Sequence, residues 1–89
     1  MELKLTTLRA LKFEEETGKD IVSTVKEIGE TGEIKVKDIV ALFKAMGENY
    51  TVEVFDAWDV PFVKKAEAVV KAAAEYIGGS AVKVQNRKK

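Results

Sequence analysis

The stretch from Thr6 to Ile21 carries a whole helix with signals at both ends, and then the start of a second. A hydroxyl from the pair Thr6-Thr7 can accept from backbone N–H groups that the first turn leaves unpaired, so the chain has a place to begin a helix. Gly18 supplies the stop, because glycine enters the left-handed conformation without steric penalty. Asp20, two residues on, stands where the next helix needs its own cap. A helix of about Thr7 to Thr17 followed at once by another forces a sharp helical corner, and that favours a bundle over a sheet.

The rest of the chain repeats the theme. Leu3 and Leu5 alternate with Glu2 and Lys4, which reads as a short extended segment or β-strand. A second helix is predicted from about Asp20 to Ile28, with Ile21, Val25 and Ile28 on one face. Gly29 through Glu33 reads as a loop, and Glu33 to Lys37 as an alternative extended piece. A third helix follows from Ile39, Leu42, Phe43 and Met46, spaced i, i+3, i+4 and i+7, with Gly47 as its stop. Asn49 or Thr51 caps a short fourth helix carrying Val52, Phe55 and Trp58. Asp59-Val60-Pro61 ends it, since the residue before proline is pushed out of helical dihedrals.

Pro61 then suits the first turn of a long last helix to Ile77. Its stripe is Phe62, Ala66, Val69, Ala73 and Ile77, broadened by Val70 and Tyr76, and Gly78-Gly79 terminates it. The expected fold is all-α: a compact bundle of about five helices in a single domain over residues 1–79, with a short N-terminal strand as an option. Residues 80–89 are expected to be a mobile basic tail, though Val82 and Val84 could pair as a strand.

Composition narrows the chemistry. The 89 residues include no cysteine and no histidine. Thiolate nucleophiles, histidine-assisted serine chemistry and zinc sites built on these ligands are therefore excluded. No apolar run approaches the roughly 18 residues of a membrane span, and the start lacks the apolar stretch of a signal peptide. A cytoplasmic protein is expected, with no membrane partner. Formal charge balances at +0, but unevenly. Residues 1–33 carry five basic and eight acidic groups, a net of −3; residues 34–60 carry three and five, a net of −2; residues 61–89 carry seven and two, a net of +5. Ordinary solvated faces explain this, and so does head-to-tail association or an arm for an acidic partner.

Few residues suggest a site. Glu14, Glu15 and Glu16 crowd the last turn of the first helix, where negative charge opposes the macrodipole. Adjacent helix positions diverge, so they do not form a catalytic carboxylate pair; an exposed acidic turn or a patch for a basic partner fits better. Asp56 and Asp59 flank Trp58 without enough ligands for a metal. Phe55, Trp58 and Phe62 concentrate the aromatics around Pro61, as core packing at a corner or as a partner-binding hot spot. Gly29-Glu30-Thr31-Gly32 lacks the lysine and hydroxyl of a phosphate loop. The basic tail has no aromatic residue for base stacking, and a pI near 6.3 argues against nucleic acid. No catalytic residue, metal ligand or cofactor is expected. The candidate partner-binding residues are Phe55, Trp58, Phe62, Glu14, Glu15 and Glu16.

The run Leu5-Thr6-Thr7, Ala10, Glu14-Glu15 and Thr17-Gly18-Lys19-Asp20-Ile21 resembles the start of the short tail assembly chaperones of long-tailed, siphovirus-type bacteriophages and related prophages. The order that follows is similar too: a loop, a helix like Lys37–Met46, a polar turn, a helix like Thr51–Asp59, and a closing helix. The resemblance implies a small, mostly helical, non-catalytic protein of the host bacterial cytoplasm. Its partner would be the long, aggregation-prone tape measure protein, kept soluble until tail-tube subunits polymerise around it. Contact with the tail-tube protein and self-association are part of the same expectation. Many such chaperones also exist in a longer form made by ribosomal frameshifting, and Lys88-Lys89 is compatible with an adenine-rich slippery site. The alternative is a small helical DNA-associated or regulatory protein of phage or bacterial origin.

Overall fold

The computed structural model describes residues 2–78, so Gly79 and the basic tail expected over residues 80–89, with its Val82–Val84 option, lie outside the described residues. Five helices follow one another: α1 (Thr7–Thr17), α2 (Ile21–Thr31), α3 (Val36–Ala45), α4 (Val52–Ala57) and α5 (Phe62–Ile77). Among the described residues there is no strand. The all-α bundle is the architecture the apolar stripes require.

The punctuation around α1 works as the residues dictate. Thr6 is the N-cap, its Oγ1 accepting from Arg9 N at 3.2 Å, and Gly18 closes the helix at φ 72°. Asp20 caps α2, its Oδ1 accepting from Val22 N at 2.9 Å and more weakly from Ser23 N at 3.4 Å. Helix α2 runs past Gly29 to Thr31, beyond the expected end at Ile28. Gly29 stays helical, while Gly32 at φ 73° provides the left-handed cap.

Two other expectations need correction. Residues 2–6 do alternate, burying Leu5 and packing Leu3 partly against the core. The optional strand does not form, because side chains take backbone groups a strand partner would use. Tyr50 donates its hydroxyl to the Glu2 carbonyl, and Arg9 Nη1 donates to the Lys4 carbonyl at 2.8 Å. After Gly32 the chain is extended only to Lys35, so Val36 and Lys37 belong to α3. Gly47 follows the end of α3 without a positive φ; a Cβ there would sit 3.3 Å from the Tyr50 ring. Close approach, not backbone handedness, is what favours glycine at that turn.

Helix α3 is the hub, packing against α1, α4 and α5. Its Ile39, Leu42 and Phe43 are fully buried, together with Phe13 of α1 and Ala66, Val69 and Ala73 of α5. The α2 stripe of Ile21, Val25 and Ile28 completes the core. Small residues on α5 let it lie close to α3 and α2. Two polar links fix the outer seams: Lys19 Nζ to Asp38 Oδ1 at 2.7 Å joins the α1–α2 corner to α3, and Thr7 Oγ1 meets the Tyr76 hydroxyl at 2.8 Å.

Candidate interaction groove

The aromatic concentration expected around Pro61 is real, and larger than the local sequence suggests. Phe43 lies at its centre: Tyr50 stacks on it at 4.9 Å, Phe55 meets it edge-on at 5.1 Å, and Trp58 stacks at 6.1 Å. Phe55 in turn meets Trp58 at 6.2 Å and Phe62 at 6.3 Å, both edge-on. Such offset and edge-to-face pairs add to the burial of apolar surface. Phe43 and Tyr50 escape a local reading because one sits in the α3 stripe and the other in the turn after it.

This cluster fixes the corner among α3, α4 and α5. Phe55 is buried, so its ring serves mainly as core, whereas Trp58 and Phe62 are half-buried. Lys65 also turns inward. It is only 8% exposed, its Nζ donates to the Phe55 carbonyl at 2.7 Å, and it stands 4.8 Å from the centre of the Phe55 ring. A buried ammonium requires such partners. Position 65 falls three after Phe62 and four before Val69, on the flank of the apolar stripe, and that spacing was the available signal.

Beside the cluster the three helices leave a groove of about 410 Å³, lined by Val36, Val40, Val52, Phe55 and Phe62 together with Glu53, Asp56 and Lys65. Its rim is apolar and wet: Val36 is 60% and Val52 48% exposed. With Lys65 engaged by the Phe55 carbonyl, the outward charge of the edge is acidic. The arrangement offers a shallow apolar seat with negative flanks. Sequence reasoning missed the valines because Val36 and Val40 lie on α3 and Val52 on α4, so they meet only through the fold.

The acidic turn does not act as one patch. Glu14 folds back, its Oε2 accepting from Ile21 N at 3.1 Å. It thereby places negative charge at the start of α2, where the helix dipole favours it. Glu15 and Glu16 instead line a second cleft of about 610 Å³ with Leu8, Leu11, Lys12 and Lys44. A shallower depression including Glu16, Tyr50 and Val52 lies between this cleft and the valine groove. Asp56 and Asp59 are both exposed, and among the described residues no cluster of acidic side chains is grouped to hold a metal ion. Among the same residues no helix is long and apolar enough to cross a membrane.

Comparison of the chain with protein-family models, curated proteins and solved structures finds no match in any of the three.

Proposed function

We propose that this chain is a non-enzymatic tail assembly chaperone of a long-tailed bacteriophage or prophage, which holds helical segments of a tape measure protein in solution during tail assembly. Two things support the reading. The first is the likeness of residues Leu5 to Ile21 to the start of such chaperones. The second, which carries it, is the groove of Val36, Val40, Val52, Phe55 and Phe62 between three helices. An amphipathic helix laid into an apolar groove is a recurring recognition mode, read through anchors one turn apart. The acidic edge at Glu53 and Asp56 favours client segments whose apolar face is bordered by lysine or arginine.

The reaction-capable groups of the chain do not compete with this role. Its buried amine is held by a carbonyl and an aromatic face, and its carboxylates are dispersed. A binding protein of this kind works by shielding apolar surface that would otherwise aggregate.

Co-expression with a long helical tape measure protein tests the reading, scored by the soluble client fraction and by pull-down. The native chain should raise soluble client and co-purify with it. Val36→Lys and Val52→Lys, at exposed positions, should abolish both effects while the far-ultraviolet spectrum and melting profile stay native. A client left equally insoluble by native chain and variants would sink the proposal, as would a salt-dependent shift of DNA mobility at micromolar protein with no client binding. Placement of the gene between tail-tube and tape-measure genes is the matching genomic expectation.

A further inference from the structure

Helix α1 buries Ala10 and Phe13 toward the core and turns Leu8 and Leu11 the other way, 78% and 50% exposed. Both leucines line the cleft of about 610 Å³. The far end of the same helix is acidic. Glu14, Glu15 and Glu16 stand where the macrodipole is negative and the last turn holds no basic residue, so a cation is what that end lacks. Glu14 is taken by Ile21 N and Lys19 by Asp38. Glu15 and Glu16 enter no ion pair among the described residues. We propose that the chain's own residues 81–89, which lie outside the described residues, cover this face. Val82 and Val84 then seat on Leu8 and Leu11, and Arg87-Lys88-Lys89 on Glu15 and Glu16.

Tether and order identify the occupant. Thr7 Oγ1 meets the Tyr76 hydroxyl at 2.8 Å, so α5 ends beside the start of α1. Val82 follows Gly78 by four residues, a reach of about 13 Å, enough to bring it from the end of α5 to Leu8. Onward from Thr7, α1 reads apolar and then acidic; onward from Gly78, the chain reads apolar and then basic. A segment running in the direction of α1 makes both matches in one register. The leucine and glutamate pairs are centred six residues apart, about 9 Å along a helix. The valines and the basic run are centred five residues apart, up to about 17 Å of extended chain, so the segment spans the gap with slack. In extended chain Val82 and Val84 share one side. Arg9, Lys12 and Lys44 also border the cleft; they repel a basic run from the leucines and set it at the glutamate end. The contact is small, but a short tether raises the effective concentration of the segment to the millimolar range. Salt weakens it by screening the exposed charges.

The chain has no cysteine, so Asn86→Cys gives the full chain one attachment point for a nitroxide label. The label should broaden the amide signals of Leu8, Leu11, Glu15 and Glu16, equally at every dilution and less at high salt. Labelled protein mixed with unlabelled, isotope-enriched chain should broaden none of them, which separates a tethered contact from one between copies. Glu15→Lys with Glu16→Lys should cut the broadening about threefold or more, as expected of surface ion pairs. Arg87→Glu with Lys88→Glu and Lys89→Glu should do the same, and the two sets combined should restore it. Leu8→Ser should also cut it, with the signals of α3 and α5 unmoved. A label that broadens no α1 amide in the native chain overturns the proposal. So does broadening that fades on dilution or passes between copies, that survives Leu8→Ser, or that stays low when the two charge-reversed sets are combined.

Discussion

The two halves of this bundle fix their helices by different means. In the first half polar side chains mark the ends: Thr6 and Asp20 cap α1 and α2, Glu14 reaches across the corner to Ile21 N, and Gly18 and Gly32 close the helices in left-handed conformation. In the second half α3 and α5 begin at Lys35 and Pro61 with no side-chain cap, and only the short α4 has one, from Thr51. Five aromatic rings and a buried lysine hold that corner instead. Caps are local and worth about 1 kcal/mol each. Packing is non-local and worth several, so the stability of the molecule should be concentrated on the side where the sequence shows the fewest helix signals.

Phe43 is where that contrast is most easily broken. Its ring is fully buried and touches Tyr50, Phe55 and Trp58. Phe43→Ala should cost about 3–5 kcal/mol, the range for an aromatic removed from a core, seen as a lower urea midpoint at unchanged slope. Thr6→Ala should cost about 1 kcal/mol in the same measurement. Equal midpoint shifts for the two variants would refute the division between packed and capped halves.

Lys65 sharpens the same comparison at a smaller magnitude. Lys65→Met keeps the aliphatic stem against Phe55 but removes the donor to the Phe55 carbonyl. That oxygen keeps a longer bond from Trp58 N at 3.3 Å, and removal of the buried charge also relieves a desolvation cost. The net loss should be about 1–2 kcal/mol. A variant more stable than the native chain would show that desolvation outweighs the bond, and that the lysine is no support for the corner.

In the capped half the effects should be smaller and individually assignable. Asp20→Ala removes the acceptor for Val22 N and Ser23 N and should cost about 1 kcal/mol. Gly32→Ala should cost a similar amount, since φ 73° is strained for any residue with a Cβ. Thermal unfolding of the two variants checks both, and an unshifted midpoint for Asp20→Ala would mean that Glu14 alone suffices at that corner.

How much of this was legible follows from the same division. The bounds of α1 could be read in full because both of its ends are set within a few residues, by Thr6 and by Gly18. The aromatic corner was legible only in part. Phe55, Trp58 and Phe62 are neighbours in sequence, but Phe43 and Tyr50 join them through the fold, and Lys65 carries a residue type that predicts solvent. The valine rim of the groove was not legible at all, because Val36 and Val52 come together only when α4 folds against α3. Leu8 and Leu11 show the opposite case: their spacing is plain in the sequence, but only the structure shows that the core lies on the other side of the helix.

The end of α2 is the one place in the capped half where a local reading misleads, and it yields the smallest prediction. Gly29 and Gly32 are the same residue type three apart, and either can stop a helix on paper. Only Gly32 takes a positive φ; Gly29 remains helical, and a Cβ added there would meet nothing within 4 Å. An interior helical glycine costs roughly 0.5–1 kcal/mol relative to alanine, because the unfolded chain has more freedom to lose. Gly29→Ala should therefore stabilise the protein by about that amount, read as a higher urea midpoint. A loss of stability would mean that α2 ends near Ile28 in solution, and that the cap at Gly32 contributes far less than its geometry implies.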